Sequence, residues 1–229
     1  MNCLSIQQKL GNSRNYAIDK KNIKNYAMSD INIQNGGGTI MSKKILIIAG
    51  DCAEDYEVKV PQQALQMLGY EVHIAAPQKK AGDTLQLVVH DFTGLDTYIE
   101  LTGHRIGVDV ALDGIKAADY AGLVIPGGRA PEYVRLSDKA VTLVKDFFTA
   151  GKPVAAVCHG TQLLAAADVM QGKETTSYPA CAPECRISGA NWQDKPVVVS
   201  GNLVTAQAWP NHPEWLRAFV DLLGAKISI

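Results

Sequence analysis

Pro153-Val154-Ala155-Ala156-Val157-Cys158-His159-Gly160-Thr161-Gln162-Leu163-Leu164-Ala165-Ala166-Ala167 is the stretch that decides the fold. A small and β-branched run leads into Cys158, and a helix-forming run leaves it. A strand-to-helix turn tight enough to lift one side chain above a sheet needs small residues two before and two after the nucleophile, and Ala156 and Gly160 supply them. The thiol would then lie at a helix N-terminus, where unpaired N–H groups and the helix dipole favour the thiolate. Cys158 is therefore expected to be reactive. A cysteine between a strand and a helix can also be a small packing hydrophobe. The small-x-Cys-x-Gly spacing and its strand–helix setting together favour the nucleophile.

Outward from this unit the punctuation is regular. Lys44–Ala49 reads as a buried strand, Tyr56–Leu68 as a helix, Glu71–Ala76 and Tyr120–Ile125 as strands, and Ser137–Ala150 as a helix. Short strands follow at Glu174–Ser177, Val197–Val199 and Leu203–Ala206, and an amphipathic helix carrying Trp215, Leu216, Phe219, Leu222 and Leu223 closes the chain. Strands alternating with helices predict an α/β fold with a parallel sheet covered on both faces. The interval from about Asp83 to Val108 departs from this rhythm. Its two alternating runs, Thr84–Phe92 and Thr97–Leu101, with turns at Thr93-Gly94 and Thr102-Gly103, predict an inserted β-hairpin near one sheet edge.

The chain of 229 residues, 47% hydrophobic and 20% charged, has the length and composition of one soluble globular domain. No run approaches the roughly 20 apolar residues of a spanning helix. A net charge of −1 offers no electrostatic footprint for nucleic acid. Five cysteines at irregular spacing in a chain of this size read as reduced thiols of a cytoplasmic protein. Residues 1–40 differ from the rest: seven Asn, no apolar period, and five Lys/Arg against two Asp, so that they carry +3 and 41–229 carry −4. They read as a disordered leader ahead of a single domain over 41–229. Gly36–Gly38 could be encoded by a purine-rich ribosome-binding element two codons upstream of Met41, which would make Met41 the start.

In an open α/β sheet ligands bind beyond the carboxyl ends of the strands. Three loops qualify: Gly50-Asp51-Cys52-Ala53-Glu54-Asp55, Pro126-Gly127-Gly128-Arg129-Ala130-Pro131-Glu132, and Cys158-His159. The glycine pair lets backbone N–H groups approach a ligand oxygen, and Gly127, Gly128 and the His159 amide form a candidate oxyanion hole; the pair could also be only a tight turn. Glu54 is a candidate proton carrier or, with Asp55 and Glu57, an acid complementing a helix N-terminus. Arg129 could hold a substrate carboxylate or pair with an acid. His212-Pro213-Glu214 reads as a helix start. Cys181 and Cys185 lack the further ligands of a zinc site and read as surface or packing thiols. His90 and His104 read as solvated loop residues near the cleft.

Lys44–Asp55 and the strings PGGRAPEYVRL, GKPVAAVCHG and NLVTAQAWPNHPEW together resemble the PfpI-type intracellular protease and glyoxalase III family of the DJ-one superfamily, across essentially all of 41–229. The segment His90 to Tyr98 is similar to the half-repeats of the duplicated plant glyoxalases of that family. The resemblance implies a flavodoxin-like fold without metal or organic cofactor, and a site of Cys158, His159 and Glu54. It also implies assembly into a dimer, trimer or hexamer through the loop Arg129–Arg135, with Glu132 orienting His159 of a neighbouring chain. The expected activity is glutathione-independent conversion of a small reactive carbonyl, methylglyoxal to lactate, or a related deglycase reaction. In that reaction Cys158 adds to the aldehyde and Glu54 or His159 moves the proton. Two other classes stay open: a cysteine peptidase or amidase using the same elbow, and a non-catalytic redox-sensing or holdase stress protein.

Overall fold

The computed structural model describes residues 44–225; the leader expected over residues 1–40 lies outside the described residues. The elements in chain order are β1 (Lys44–Ile48), α1 (Asp55–Met67), β2 (Glu71–Ala75), β3 (Thr84–Asp91), β4 (Ile99–Gly107), β5 (Gly122–Ile125), α2 (Ala130–Val134), α3 (Asp138–Thr149), β6 (Val154–Val157), α4 (Thr161–Ala166), β7 (Glu174–Thr175), α5 (Ala182–Ile187), β8 (Asn191–Trp192), β9 (Val197–Ser200), β10 (Leu203–Ala206) and α6 (His212–Leu222).

The central sheet runs β2-β1-β5-β6-β10-β9, parallel throughout except for the antiparallel β10–β9 pair. This is the flavodoxin-like order with one added edge strand. Strands β5, β6 and β10 are buried along their whole length, which is why they read as unbroken apolar runs rather than alternations. Helices α1 and α6 pack on each other, α6 lies against β6 and β10, and α3 lies against β5 and α4. Trp215, Phe219 and Phe147 are the largest side chains closed off completely by this arrangement. His212 opens α6, as the His-Pro-Glu motif predicts, and its ring stacks on Trp215 at 5.4 Å.

The hairpin β3–β4 forms its own two-stranded sheet beside the edge strand β2, where the Asp109 N–H, just after β4, donates to Ile74 O at 2.9 Å. It lies over the carboxyl end of β1: the Cys52 N–H donates to Gln86 O at 2.8 Å and the Val88 N–H to Ala53 O at 3.0 Å. The turn expected at Thr102-Gly103 is interior to β4, opposite a bulge between Gln86 and Val88, where the Gln86 side-chain amide donates to Gly103 O at 2.8 Å. Gly103 is needed for close approach instead: a Cβ there would stand 2.5 Å from Asp55 Oδ2 and 3.0 Å from the backbone of Leu87. Among the described residues no helix is long and apolar enough to cross a membrane.

The β6–α4 turn is the tightest junction of the sheet. A Cβ at Gly160 would collide with the carbonyl oxygen of Ile125 and lie 3.1 Å from that of Pro126, both backbone atoms of the β5 loop that cannot yield. Gly160→Ala is therefore expected to destabilise the protein by about 1–3 kcal/mol, read as a lowered midpoint in chemical denaturation.

Candidate active site

Cys158, at the apex of the β6–α4 turn, has φ 58°, the left-handed region that a side-chain-bearing residue adopts only under compensation. The residue is only 5% exposed. The His159 Nδ1 lies 3.2 Å from Sγ, and the backbone N–H groups of His159 and Gly128 point at the sulfur. Gly127 packs so tightly against the turn that a Cβ there would lie 2.7 Å from both Cys158 Cβ and Glu57 Oε2.

That contact identifies the acid at the thiol. Glu57, fully buried on the inward stripe of α1 with Val58, Pro61 and Leu65, accepts the Gly127 N–H at 2.7 Å and lies close enough to the Cys158 thiol for each group to act on the other's charge. Glu54, expected in this role, is the N-cap of α1: its Oε2 accepts the Glu57 N–H at 2.8 Å, the helix-terminus role considered for it from sequence. Gly127, expected in the oxyanion hole, has its N–H taken by Glu57. The amides of Gly128 and His159 remain directed at the sulfur.

The electrostatics reverse the expectation of a ready thiolate. Burial, reinforced by the nearby Glu57 charge, pushes the Cys158 thiol well above its ordinary value, and the two N–H groups offset this only in part. The first helical hydrogen bonds after Cys158 belong to a 3₁₀ turn, so α4 begins at Thr161 and its dipole acts from further off. Burial and the Glu54 charge push Glu57 up to about 8, and burial, with a smaller push from the Asp55 charge, raises Glu54 to about 7. Burial, then the neighbouring His90, lowers His159 to about 4, so its ring is neutral at neutral pH. The resting pair is a thiol beside a protonated carboxyl.

The hairpin supplies the opposite wall. His90 is buried, not solvated: it is stacked on Tyr98 at 3.9 Å, with its Nε2 3.0 Å from Glu100 Oε2. Glu100 in turn takes the Arg129 guanidinium at 2.7 and 2.8 Å, and that hydrogen bonding holds its carboxyl down at about 2. Arg129 is thus paired with an acid. His104 remains largely exposed and meets Asp55, its backbone N–H donating to Oδ2 at 2.5 Å. Tyr98, Tyr178, Glu100 and Glu57 were not singled out from sequence as site residues. For Glu57 a signal existed: it opens a 57–61–65 stripe of inward positions, so the helix period places a carboxyl on the buried face. Cys181 and Cys185 are buried packing thiols, and among the described residues no group of three or more His, Cys, Asp or Glu could hold a metal.

The comparisons with known proteins follow the geometry. The family model described as the DJ-1/PfpI family matches residues 43–222. The chain is 47% identical over 192 residues to Protein DJ-1 homolog D of Arabidopsis thaliana, covering 82% of this chain and 49% of that one, so it spans about half the length of that relative. It is 38% identical over 180 residues to Deglycase PfpI of Pyrococcus furiosus, covering 79% of this chain and 99% of the relative. Among solved structures it is similar to DJ-1beta of Drosophila melanogaster, with a TM-score of 0.66, 27% identity, and coverage of 80% of this chain and 92% of that one.

The buried carboxyls set a pH dependence. A group whose pKa is raised on folding adds stability that is present below its unfolded value and lost as pH rises through the folded one. For Glu54 and Glu57 that loss runs from about 4.5 up to about 8. His159 and His212, both lowered to about 4, work in the opposite sense only below the ordinary histidine value of 6.5. Thermal midpoints are therefore expected to fall between pH 6.5 and 8, and Glu57→Gln, which stays neutral, to flatten the fall. A wild-type midpoint that does not change across this window would show Glu57 already ionised.

Proposed function

Since the chain belongs to the DJ-1/PfpI family, whose relatives here include proteins named deglycases, we propose that it is a cysteine enzyme of small reactive carbonyls, of glyoxalase III or deglycase type. The observation that carries this reading is the convergence on Cys158 Sγ of one buried carboxyl, Glu57, one neutral imidazole, His159, and two backbone N–H donors.

The chemistry follows from what each group can hold. As the sulfur bonds to the aldehyde carbon, the thiol proton passes by way of the neutral His159 ring, whose Nδ1 lies 3.2 Å from Sγ, to water; the carbonyl pair moves to oxygen, beside the Gly128 and His159 amides, and the Glu57 proton neutralises it. With methylglyoxal the adduct is a hemithioacetal. Removal of the proton from its C1 by His159 or the now-ionised Glu57 gives an enediol, and return of a proton to C2 gives a thioester. Water then cleaves the C–S bond, releasing lactate and restoring the thiol. The sum is methylglyoxal plus water to lactate, with no oxidant and no thiol cosubstrate consumed. Glu57 takes the part that sequence alone assigned to Glu54, because a proton carrier has to reach the reacting atoms. This chemistry suits a small substrate, and we place it with the family in a cytoplasmic setting.

Lactate formation from methylglyoxal by the purified protein, run beside casein hydrolysis, tests the reading against the peptidase alternative. Cys158→Ala is expected to abolish turnover, Glu57→Gln to reduce it by roughly 10²–10⁴, and Glu54→Gln, which keeps the cap, to reduce it less than tenfold. Equal losses in the two glutamate variants would return Glu54 to the reaction; casein hydrolysis without lactate would establish the peptidase.

We also read the enzyme as a homo-oligomer that completes its site across an interface. The Arg129–Arg135 segment, which contains α2, exposes Tyr133 at 71%, Leu136 just beyond it is exposed at 74%, and Glu132 is exposed on the same segment. The His159 Nε2 has no partner among the described residues, leaving it for Glu132 of a second copy. Light scattering is expected to give a closed oligomer, and Glu132→Ala to lower activity without dissociating it; a fully active monomer at nanomolar concentration would exclude the shared site.

A further inference from the structure

Beside the Cys158–His159 pair stands a box of aromatic rings in which one polar atom is unused. Tyr98 stacks on His90 at 3.9 Å with 20° between planes, meets His159 edge-on at 5.9 Å and 88°, and meets Tyr178 at 5.6 Å and 65°. Tyr178 stacks on His159 at 5.0 Å, and its own hydroxyl lies 3.4 Å from Thr97 Oγ1. The Tyr98 ring is thus held from three directions, while its hydroxyl has no hydrogen-bond partner among the described residues and is not sealed from solvent. Its support is itself fixed: His90 is tied through Nε2 to Glu100, Glu100 to Arg129, and the Trp209 indole N–H donates to His90 O at 3.2 Å.

Through its edge-on contact with His159 and its contact with Tyr178 the Tyr98 ring borders the space over the Cys158–His159 turn, and the charges of Cys158, Tyr178, Glu132 and Glu100 act on its phenol. Burial pushes the phenol up to about 12, which keeps it a donor throughout the range in which Glu57 and Cys158 exchange a proton. The aldehyde oxygen of a bound substrate already has the Gly128 and His159 amides. A rigid donor on the opposite wall serves an oxygen on the next carbon. A 2-oxoaldehyde carries that oxygen; a simple aldehyde does not.

Resting on the reading of Cys158 as a carbonyl nucleophile, we propose that the Tyr98 hydroxyl donates a hydrogen bond to the second carbonyl oxygen of a vicinal dicarbonyl substrate and so selects 2-oxoaldehydes over simple aldehydes. The bond strengthens during the reaction. When the C1 proton leaves, its electron pair enters the C1–C2 bond and the ketone pair moves to the C2 oxygen, where charge develops against the Tyr98 O–H. No atom passes from the tyrosine; the proton that returns to C2 comes from the base that took it.

Tyr98→Phe keeps every ring contact and removes only the donor. The probes are methylglyoxal and acetaldehyde, each used to protect Cys158 from alkylation by iodoacetamide, together with lactate formation. In the variant, alkylation without aldehyde should match wild type within about twofold and acetaldehyde protection should be unchanged. Methylglyoxal protection should weaken about tenfold, and lactate formation should fall on the order of 10²-fold, mainly in kcat. Wild-type protection and turnover by methylglyoxal in Tyr98→Phe would overturn the proposal. Weakened protection by both aldehydes alike would also overturn it, since that signals a general loss of packing. If the wild-type protein forms no lactate, the proposed reaction fails and the protection constants alone decide: loss of the methylglyoxal preference in the variant supports the Tyr98 contact, its retention overturns it.

Discussion

The left-handed backbone at Cys158 is the constraint on which the rest of the site depends. A cysteine with φ 58° is held against its preference, at a cost on the order of 1–3 kcal/mol. What compensates is close packing of two glycines. Gly160 lets the outgoing chain pass over the β5 loop, and Gly127 lets that loop press on the Cys158 Cβ, so neither position has room for a methyl group. The same approach leaves the Gly128 N–H directed at the sulfur and the Gly127 N–H directed at Glu57. One steric arrangement therefore sets the Cys158 thiol, the amide beside it and the Glu57 carboxyl together. On the first loop, Cys52 is held at φ 64° in the same manner, its carbonyl accepting the N–H groups of Arg129 and Ala130 at 2.9 and 3.3 Å.

Burial then decides the protonation states. A carboxylate and a thiolate side by side in a site closed to water would each lack solvation and would repel each other, so the pair keeps its protons at neutral pH. The helix-dipole argument that predicts a thiolate at an elbow is sound in sign but loses here in magnitude: the dipole contributes a fraction of a charge from one turn away, whereas desolvation acts on the whole charge at once. A resting thiol next to a neutral acid is also a poor target for adventitious oxidants and a good one for a substrate that brings its own acceptor for the proton. Restraint of this kind suits a nucleophile that meets reactive carbonyls.

Local signals made the sheet and the elbow legible. Apolar runs of strand length, each followed by a glycine-containing turn, marked β1, β5 and β6 within a residue or two, and these three strands carry the site. Residues whose role is fixed by a partner far along the chain were not legible. Glu54 and Glu57 are chemically equivalent in the sequence and differ only in which way α1 turns them, and the helix period, applied to an acid as it was to apolar residues, separates them. Gly103 reads as a turn because glycine usually marks one; its actual reason is the carboxylate of Asp55, 48 positions earlier and close only once the hairpin has folded down. His90, near the end of the Thr84–Phe92 run, was read as solvated because nothing in the local sequence names the rings that cover it. Its burial depends on Tyr98 and Trp209, contacts that span 119 positions in the second case.

The hairpin is the part of this chain that the sheet does not require. Parallel order is satisfied when the connection from β2 reaches β5; the residues between them form a separate two-stranded sheet that closes over the switch point between β1 and β5, where ligands of such folds bind. It is fastened at two ends. Near its base the backbone of Cys52 and Ala53 pairs with Gln86 and Val88, and Asp55 takes the His104 N–H. Toward its tip, Glu100, steadied by His90 Nε2, takes the Arg129 guanidinium from the neighbouring loop. Because Arg129 follows directly on Gly128, the ion pair links the hairpin to the very segment whose amide faces the sulfur. The roof and the floor of the site are thus joined by one residue, and the spacing between the Tyr98 wall and the Gly128 amide is set by that joint and not by the flexible turn between β3 and β4.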